Sequence, residues 1–242
     1  MELNYVISDI HGCAEDFFAL LSKIKFSPDD TLYVLGDAMD RGPEPIKVIQ
    51  DLMQRENVFY VLGNHDVMFL EVLRRLNVEL NEDNANALTQ EDFQVYFDYI
   101  QNGGEETLRQ FRRLSPEEQA DIRDYLESSP FYETIEHDGK LYILVHAGID
   151  NFDPEKDLDE YDPEDFLWTR PDYGIKYFPG DRIFLMTGHT PTPLIRSDNR
   201  PLVYTGYNHI AIDCGCVFGG SLAAYCIETG AVSYTAYQRG KR

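Results

Sequence analysis

Thr31-Leu32-Tyr33-Val34-Leu35-Gly36-Asp37-Ala38-Met39-Asp40-Arg41-Gly42 is a run of apolar and β-branched residues that passes straight into glycine and three charged side chains. A short apolar run bounded by turn residues predicts a buried strand, which puts the polar residues at its C-terminal end. The same order recurs on either side of this stretch. Leu3 to Ile7 leads into Ser8-Asp9-Ile10-His11-Gly12, and Val58 to Leu62 leads into Gly63-Asn64-His65-Asp66. Between the strands, Ala14 to Ile24 carries Phe17, Phe18, Leu20, Leu21 and Ile24 on a helical period, and Pro43 to Met53 opens on a proline suited to a first helical turn. Strand, helix, strand, helix, strand predicts parallel strands with right-handed crossovers. Their C-terminal ends share one rim, where open α/β sheets bind ligands.

Asp9 and Asp37 are 28 residues apart and Asp37 and Asn64 are 27 apart, one βα unit each, so the spacing delivers Asp9, His11, Asp37 and Asn64 to that rim. The second half repeats the pattern. Leu141 to Val145 ends in His146-Ala147-Gly148, and Ile183 to Met186 ends in Thr187-Gly188-His189-Thr190. Four of the six histidines therefore follow strand-like runs. The other two read differently: His137 falls in a hairpin turn, Glu136-His137-Asp138-Gly139, and His209 reads as structural.

Carboxylates, an amide oxygen and imidazoles without thiolates suit Mn²⁺, Fe or Zn²⁺ better than a cysteine-rich structural zinc site. Six such residues suffice for two ions that share a ligand, an arrangement that clamps a phosphoryl group for in-line hydrolysis. Any one of them alone could be a helix cap after a strand. The ordered set is not explained that way.

Asp9-Ile10-His11-Gly12, Gly36-Asp37-x-x-Asp40-Arg41-Gly42, Gly63-Asn64-His65-Asp66, His146 and Gly188-His189, in this order, resemble the signature of calcineurin-like metallophosphoesterases. The Asp40-Arg41-Gly42 ending is similar to the phosphoprotein phosphatase branch, which holds serine/threonine phosphatases and symmetrical diadenosine tetraphosphate hydrolases. The resemblance implies an α/β fold, a two-sheet sandwich flanked by helices. It implies two divalent ions, Mn²⁺ foremost, with Asp9, His11 and His189 on one, Asn64 and His146 on the other, and Asp37 bridging. His65 would protonate the leaving oxygen, with Asp40 bonded to it, and Arg41 and Arg170 would bind the substrate phosphate. The reaction implied is direct attack of a metal-bridging hydroxide on a phosphomonoester, with a phosphoserine or phosphothreonine protein as lead substrate. Symmetrical hydrolysis of diadenosine tetraphosphate is the alternative. One departure stands out: many relatives have an arginine where this chain has Leu62. That predicts weaker monoester binding, unless Leu62 only finishes a buried strand.

The 242 residues carry 43 acidic and 21 basic side chains, a net charge of −22, which would repel a nucleic-acid backbone. A 43% hydrophobic content is enough for a packed core and excludes a disordered or fibrous chain. No run of about 18 apolar residues occurs, so the reading is a cytoplasmic protein with no membrane partner. Cys13, Cys214, Cys216 and Cys226 form no disulfide framework. Whether Cys13, two residues past His11, is only packed is left open, as is the oligomeric state.

Residues 67–135 read as a helical cap inserted into a single domain of residues 1–242, with a helix start at Ser115-Pro116-Glu117-Glu118 and a break at Gly103-Gly104. Asp150 to Phe166 holds nine acids and one lysine, and reads as a solvated loop near the site mouth. The runs Leu202 to Tyr204, Ile210 to Cys214, Leu222 to Ile227 and Val232 to Tyr237 predict the strands of a second sheet. Two further functions share this core. A binding protein that has lost the chemistry would lack a ligand or the acid, and none is missing. A nuclease is opposed by the acidic surface.

Overall fold

In the computed structural model, which describes residues 2–76 and 89–235, the parallel unit forms as the spacing predicts. Strands β1 (Asn4–Ile7), β2 (Thr31–Leu35) and β3 (Val58–Val61) pair in parallel, with Asn4 opposite Thr31 and Leu32 opposite Val58. Helix α1 (Ala14–Ile24) turns Phe17, Leu20 and Leu21 inward and stops at Lys25, in the left-handed conformation. Helix α2 starts at Pro45 rather than Pro43 and runs to Met53, so Arg41-Gly42-Pro43 stays in the loop at the strand end.

The second half gives a sheet ordered β4-β5-β6-β8-β7, comprising β4 (Tyr132–His137), β5 (Lys140–Val145), β6 (Ile183–Thr187), β7 (Tyr204–Gly206) and β8 (His209–Ala211). His137 closes β4 beside a two-residue Asp138-Gly139 turn, both residues at positive φ, as expected of a hairpin. His209 bonds Thr187 Oγ1 through Nε2 at 2.9 Å and stacks on Tyr173, a structural setting in which burial pushes its pKa down to about 3.

One expectation is corrected. Of the four late runs, only the first two contribute to the second sheet. The others, β9 (Ala223–Cys226) and β10 (Val232–Tyr234), extend the first, ordered β10-β9-β1-β2-β3. The cause is two-sided burial: Leu222, Ala224 and Cys226 face the core under the helices, while Ala223, Tyr225 and Ile227 face the core between the sheets. A strand apolar on both faces belongs inside a sheet, and the antiparallel partner open to β9 is β1.

Three apolar layers result. Val6, Leu35 and Val61 meet Leu144, Met186 and Ile210 between the sheets. Outside the first sheet pack α1, α2, α3 (Asn64–Leu76), α4 (Gln90–Gln101), α5 (Glu105–Phe111) and α6 (Pro116–Ser128), whose Phe69, Tyr99, Phe111 and Leu126 join Ile10 and Phe17 in one cluster. Ser115 and Glu118 form the reciprocal cap that starts α6. Outside the second sheet the cover is the acidic segment itself: Tyr161 and Phe166 are buried against Ile143, Val145 and Leu185, while most of its carboxylates face solvent. Residues 77–88, 236 and 237, part of the expected cap and last strand, lie outside the described residues. No helix among the described residues is long and apolar enough to cross a membrane.

Candidate active site

The ends of β1, β2, β3, β5 and β6 converge. Asp9, His11, Asp37, Asn64, His65 and His146 are buried, His189 is half-buried, and Arg41 and Arg170 are exposed. Main-chain bonds tie the loops together: His11 N–H donates to Asp37 O at 2.9 Å, His65 N–H to Asp37 Oδ1 at 3.0 Å, and His189 N–H to Asp9 Oδ2 at 3.0 Å. A Cβ at Gly63 would lie 2.1 Å from Asp37 Oδ1, so only glycine lets these two loops close. Asp9, His11, Asp37, Asp40, Arg41 and His189 all hold φ between 46° and 66°. Side chains avoid this region, though Asp and His enter it more readily than most.

The imidazole tautomers follow from their partners. A carbonyl only accepts, so His11 Nδ1 donates to Met39 O at 2.8 Å and His146 Nδ1 to Leu35 O at 2.7 Å. Each Nε2 then presents a lone pair, and these lie 3.6 and 3.4 Å from Asp37 Oδ2. His146 Nε2 is also 2.9 Å from Asn64 Oδ1, to which His189 Nδ1 approaches within 3.0 Å. At the His146 Nε2 and Asn64 Oδ1 pair, acceptor thus meets acceptor with no proton to share. Burial, then the charges of Asp9 and Asp66, hold the Asp37 carboxyl well above the usual carboxylate range. Burial and Asp213 do the same to Asp9. Burial, ahead of neighbouring histidines, keeps His11 and His146 well below the imidazole range, and burial then Arg170 push His189 down to about 4. The centre has ligand-ready imidazoles and too little positive charge for its carboxylates, the condition that divalent cations relieve. Two donor groups, each within 4.8 Å, share Asp37: with His11 and His65, and with His146 and His189.

The chain matches the calcineurin-like phosphoesterase family over residues 5–225. It belongs to that family. This phosphoesterase is 29% identical over 248 residues to the asymmetrical bis(5'-nucleosyl)-tetraphosphatase PrpE of Geobacillus sp., an alignment covering 91% of this chain and 88% of that one. It is 30% identical over 148 residues to a symmetrical bis(5'-nucleosyl)-tetraphosphatase of Hamiltonella defensa, covering 60% and 44%. A crystal structure provisionally named a diadenosine tetraphosphatase shares the fold, with a TM-score of 0.66 at 22% identity over 98% of this chain and 95% of that one.

The grouping of ligands in the phosphoesterase differs from the expectation in one member. His189 stands with Asn64 and His146, its Nδ1 bonded to the same amide oxygen, and not with His11; only its main-chain N–H reaches Asp9. The cause is the register of β6 beside β5, which sets the two loops side by side, Gly188 N–H donating to His146 O at 2.7 Å. His65 Nδ1 bonds Asp40 Oδ2 at 2.7 Å, and its Nε2 is buried with no hydrogen-bond partner. Arg41 Nη1 reaches His11 Nε2 at 2.6 Å. Arg170 joins Arg41, Asp37 and His189 in the lining of a cleft of about 520 Å³. Leu62 is not among the lining residues; it lies one residue past β3, 3% exposed in the core under the helices, so its role there is packing.

Several residues of the site were not singled out from the sequence. Asp66 Oδ2 accepts from Gly63 N–H, Asp37 N–H and Tyr60 OH, pinning two loops from within the Gly63-Asn64-His65-Asp66 motif. Tyr99 OH and Thr107 Oγ1 both donate to Asp40 Oδ1. The usable signal for these two was the Gly103-Gly104 pair: a Cβ at Gly104 would sit 2.2 Å from the Tyr99 ring, and Gly103 O accepts from Arg41 N–H at 2.9 Å. Cys13 belongs to a separate group, its thiol, the Cys216 thiol and an Asp16 oxygen all lying within 4.8 Å of one another.

Proposed function

We propose that this phosphoesterase hydrolyses dinucleoside polyphosphates such as diadenosine tetraphosphate. The observation that carries metal-dependent phosphoryl chemistry is the convergence of two donor groups on the single carboxylate of Asp37, with the unpartnered His65 Nε2 beside it. The substrate class is supported by the names of the relatives that align over nine-tenths of the chain. The phosphoserine and phosphothreonine reading stands second, on the likeness of Asp40-Arg41-Gly42 alone.

Asp9, His11 and Asp37 would hold one divalent ion of the Mn²⁺ type, and Asp37, Asn64, His146 and His189 the other. Once bound, the pair supplies positive charge that polarises phosphoryl oxygens and acidifies water. Arg41 and Arg170 hold the phosphate, for which planar guanidinium forks are suited. Water adds to phosphorus, the bond to the leaving oxygen breaks, and His65 Nε2 gives that oxygen its proton. The Asp40 carboxylate, accepting from Nδ1–H, keeps the ring oriented. The proposed setting is the cytoplasm, in keeping with a nucleotide substrate.

The test is to strip the protein with chelator, restore Mn²⁺, Mg²⁺, Zn²⁺ or Ca²⁺ separately, and chromatograph the products from diadenosine tetraphosphate and from a phosphoserine peptide. AMP with ATP indicates asymmetrical cleavage, and two ADP symmetrical cleavage. Phosphate released only from the peptide would restore the protein-phosphatase reading. Inactivity on both with every metal would overturn the proposal.

A further inference from the structure

The cleft beside Asp37 has a lining of two kinds. It includes Arg41, Arg170 and His189, and with them the apolar Pro191, Pro193, Leu194, Pro201 and Phe218. Leu194, 71% exposed, and Phe218, 61% exposed, are the two most exposed large apolar side chains among the described residues, and both line this cleft. Apolar surface held open beside a charged site marks a place where a ligand is covered. The backbone that carries Phe218 is anchored. It ends a 3-10 turn, Cys216–Phe218, flanked by Gly215 and Gly219 at positive φ, and the turn is anchored where Asp213 Oδ1 accepts from Gly215 N–H at 2.8 Å. The Arg41 guanidinium carbon lies over the ring, 5.4 Å from its centroid.

We infer that Phe218, with the prolines and Leu194, seats a nucleobase of the substrate while Arg41 and Arg170 hold its phosphates. This rests on the nucleotide reading above. An exposed aromatic ring in contact with a phosphate-binding guanidinium matches the two ends of one nucleotide, an apolar π face and an anion, and bases stack on such rings whatever their identity. Asn199, lining the same cleft, offers both a donor and an acceptor for a base edge. Phe218 is thus a specificity-determining residue, separating substrates that carry a base from those that do not.

The experiment compares wild type, Phe218→Ala and Phe218→Trp, all metal-loaded, on diadenosine tetraphosphate and on inorganic tripolyphosphate, which has no base. The expected result is an approximately tenfold fall in the ratio of kcat/KM for the dinucleotide to that for tripolyphosphate in Phe218→Ala, carried by KM, with recovery in Phe218→Trp. An unchanged ratio overturns the inference, whether both substrates are unaffected or both lose equally through disturbance of Arg41. If wild type does not cleave the dinucleotide, the function proposed above fails instead. Calorimetric binding of AMP and ADP to the same three proteins then decides this inference: weaker binding in Phe218→Ala supports it and equal binding overturns it. Loss confined to a phosphoserine peptide would assign the cleft to a polypeptide and likewise overturn it.

Discussion

The hydroxyl of Tyr99 donates to Asp40 Oδ1 at 2.5 Å, across 59 residues of chain, and so joins a helix outside the first sheet to the loop that ends β2. Thr107 reaches the same oxygen at 2.6 Å, and the other Asp40 oxygen holds His65. The helices therefore complete the setting of the proposed acid. Tyr99→Phe is expected to lower kcat about tenfold with little change in KM, and Tyr99→Phe with Thr107→Val to approach the loss expected of His65→Asn. Steady-state kinetics with the limb of the pH profile assigned to the acid are the check. Wild-type kcat in the double variant would refute it.

Because both donor groups contain Asp37, its removal should empty both. Asp37→Asn is expected to retain close to no divalent metal after dialysis, whereas His146→Ala retains one ion per chain, held on the side of His11 and Asp37. Elemental analysis by plasma mass spectrometry reads this directly. Equal metal content in the two variants would count against a shared ligand.

The metal-free protein should lose stability as pH rises above about 6.5. Burial raises the Asp66 carboxyl to about 7 and holds Asp9 and Asp37 high, so the folded chain binds protons that the unfolded chain has released, while Asp213, raised to about 6, has given up most of its share below that pH. Such groups weaken the fold as pH climbs toward their folded values, by about 1.4 kcal/mol per pH unit for each proton involved. The depressed histidines act oppositely, adding stability as pH rises, but only up to the ordinary imidazole value near 6.5. Above that value only the carboxylates remain. Melting curves of chelated protein from pH 6.5 to 8 should fall, and those of metal-loaded protein should not. A rising curve for chelated protein would contradict the assigned cause.

Leu62→Arg, which would restore the arginine of many relatives, is expected to destabilise the protein by several kcal/mol instead of tightening phosphate binding. The side chain lies in the core under the helices, where an unpaired guanidinium is costly. Thermal melting of the variant beside wild type is the measurement, and an unchanged Tm with a lower KM would reverse the reading.

The rim was legible because each contributing strand ends in a polar residue placed one βα unit from the next, so Asp9, Asp37 and Asn64 could be gathered by spacing alone. The partner of His189 was not, since it depends on how β6 lies beside β5. Nor was the sheet that takes β9: Ala223 to Cys226 is apolar on both faces and reads the same in either sheet. Tyr99 and Thr107 escaped notice for a different reason. Their partner is a carboxylate far along the chain, and within their own helices a buried tyrosine and threonine look like ordinary packing.

Six side chains at the rim sit on backbone angles that cost about 1–3 kcal/mol apiece and suit glycine better. A substitution to glycine would relax the chain and delete the donor in the same stroke. Anyone hardening this protein against heat is therefore barred from its most strained positions, and must look to exposed helix faces and surface turns. The same arithmetic makes the rim the part of the molecule that drift can least improve: its discomfort is permanent, and the rest of the sequence is free to vary only while it can hold those loops shut.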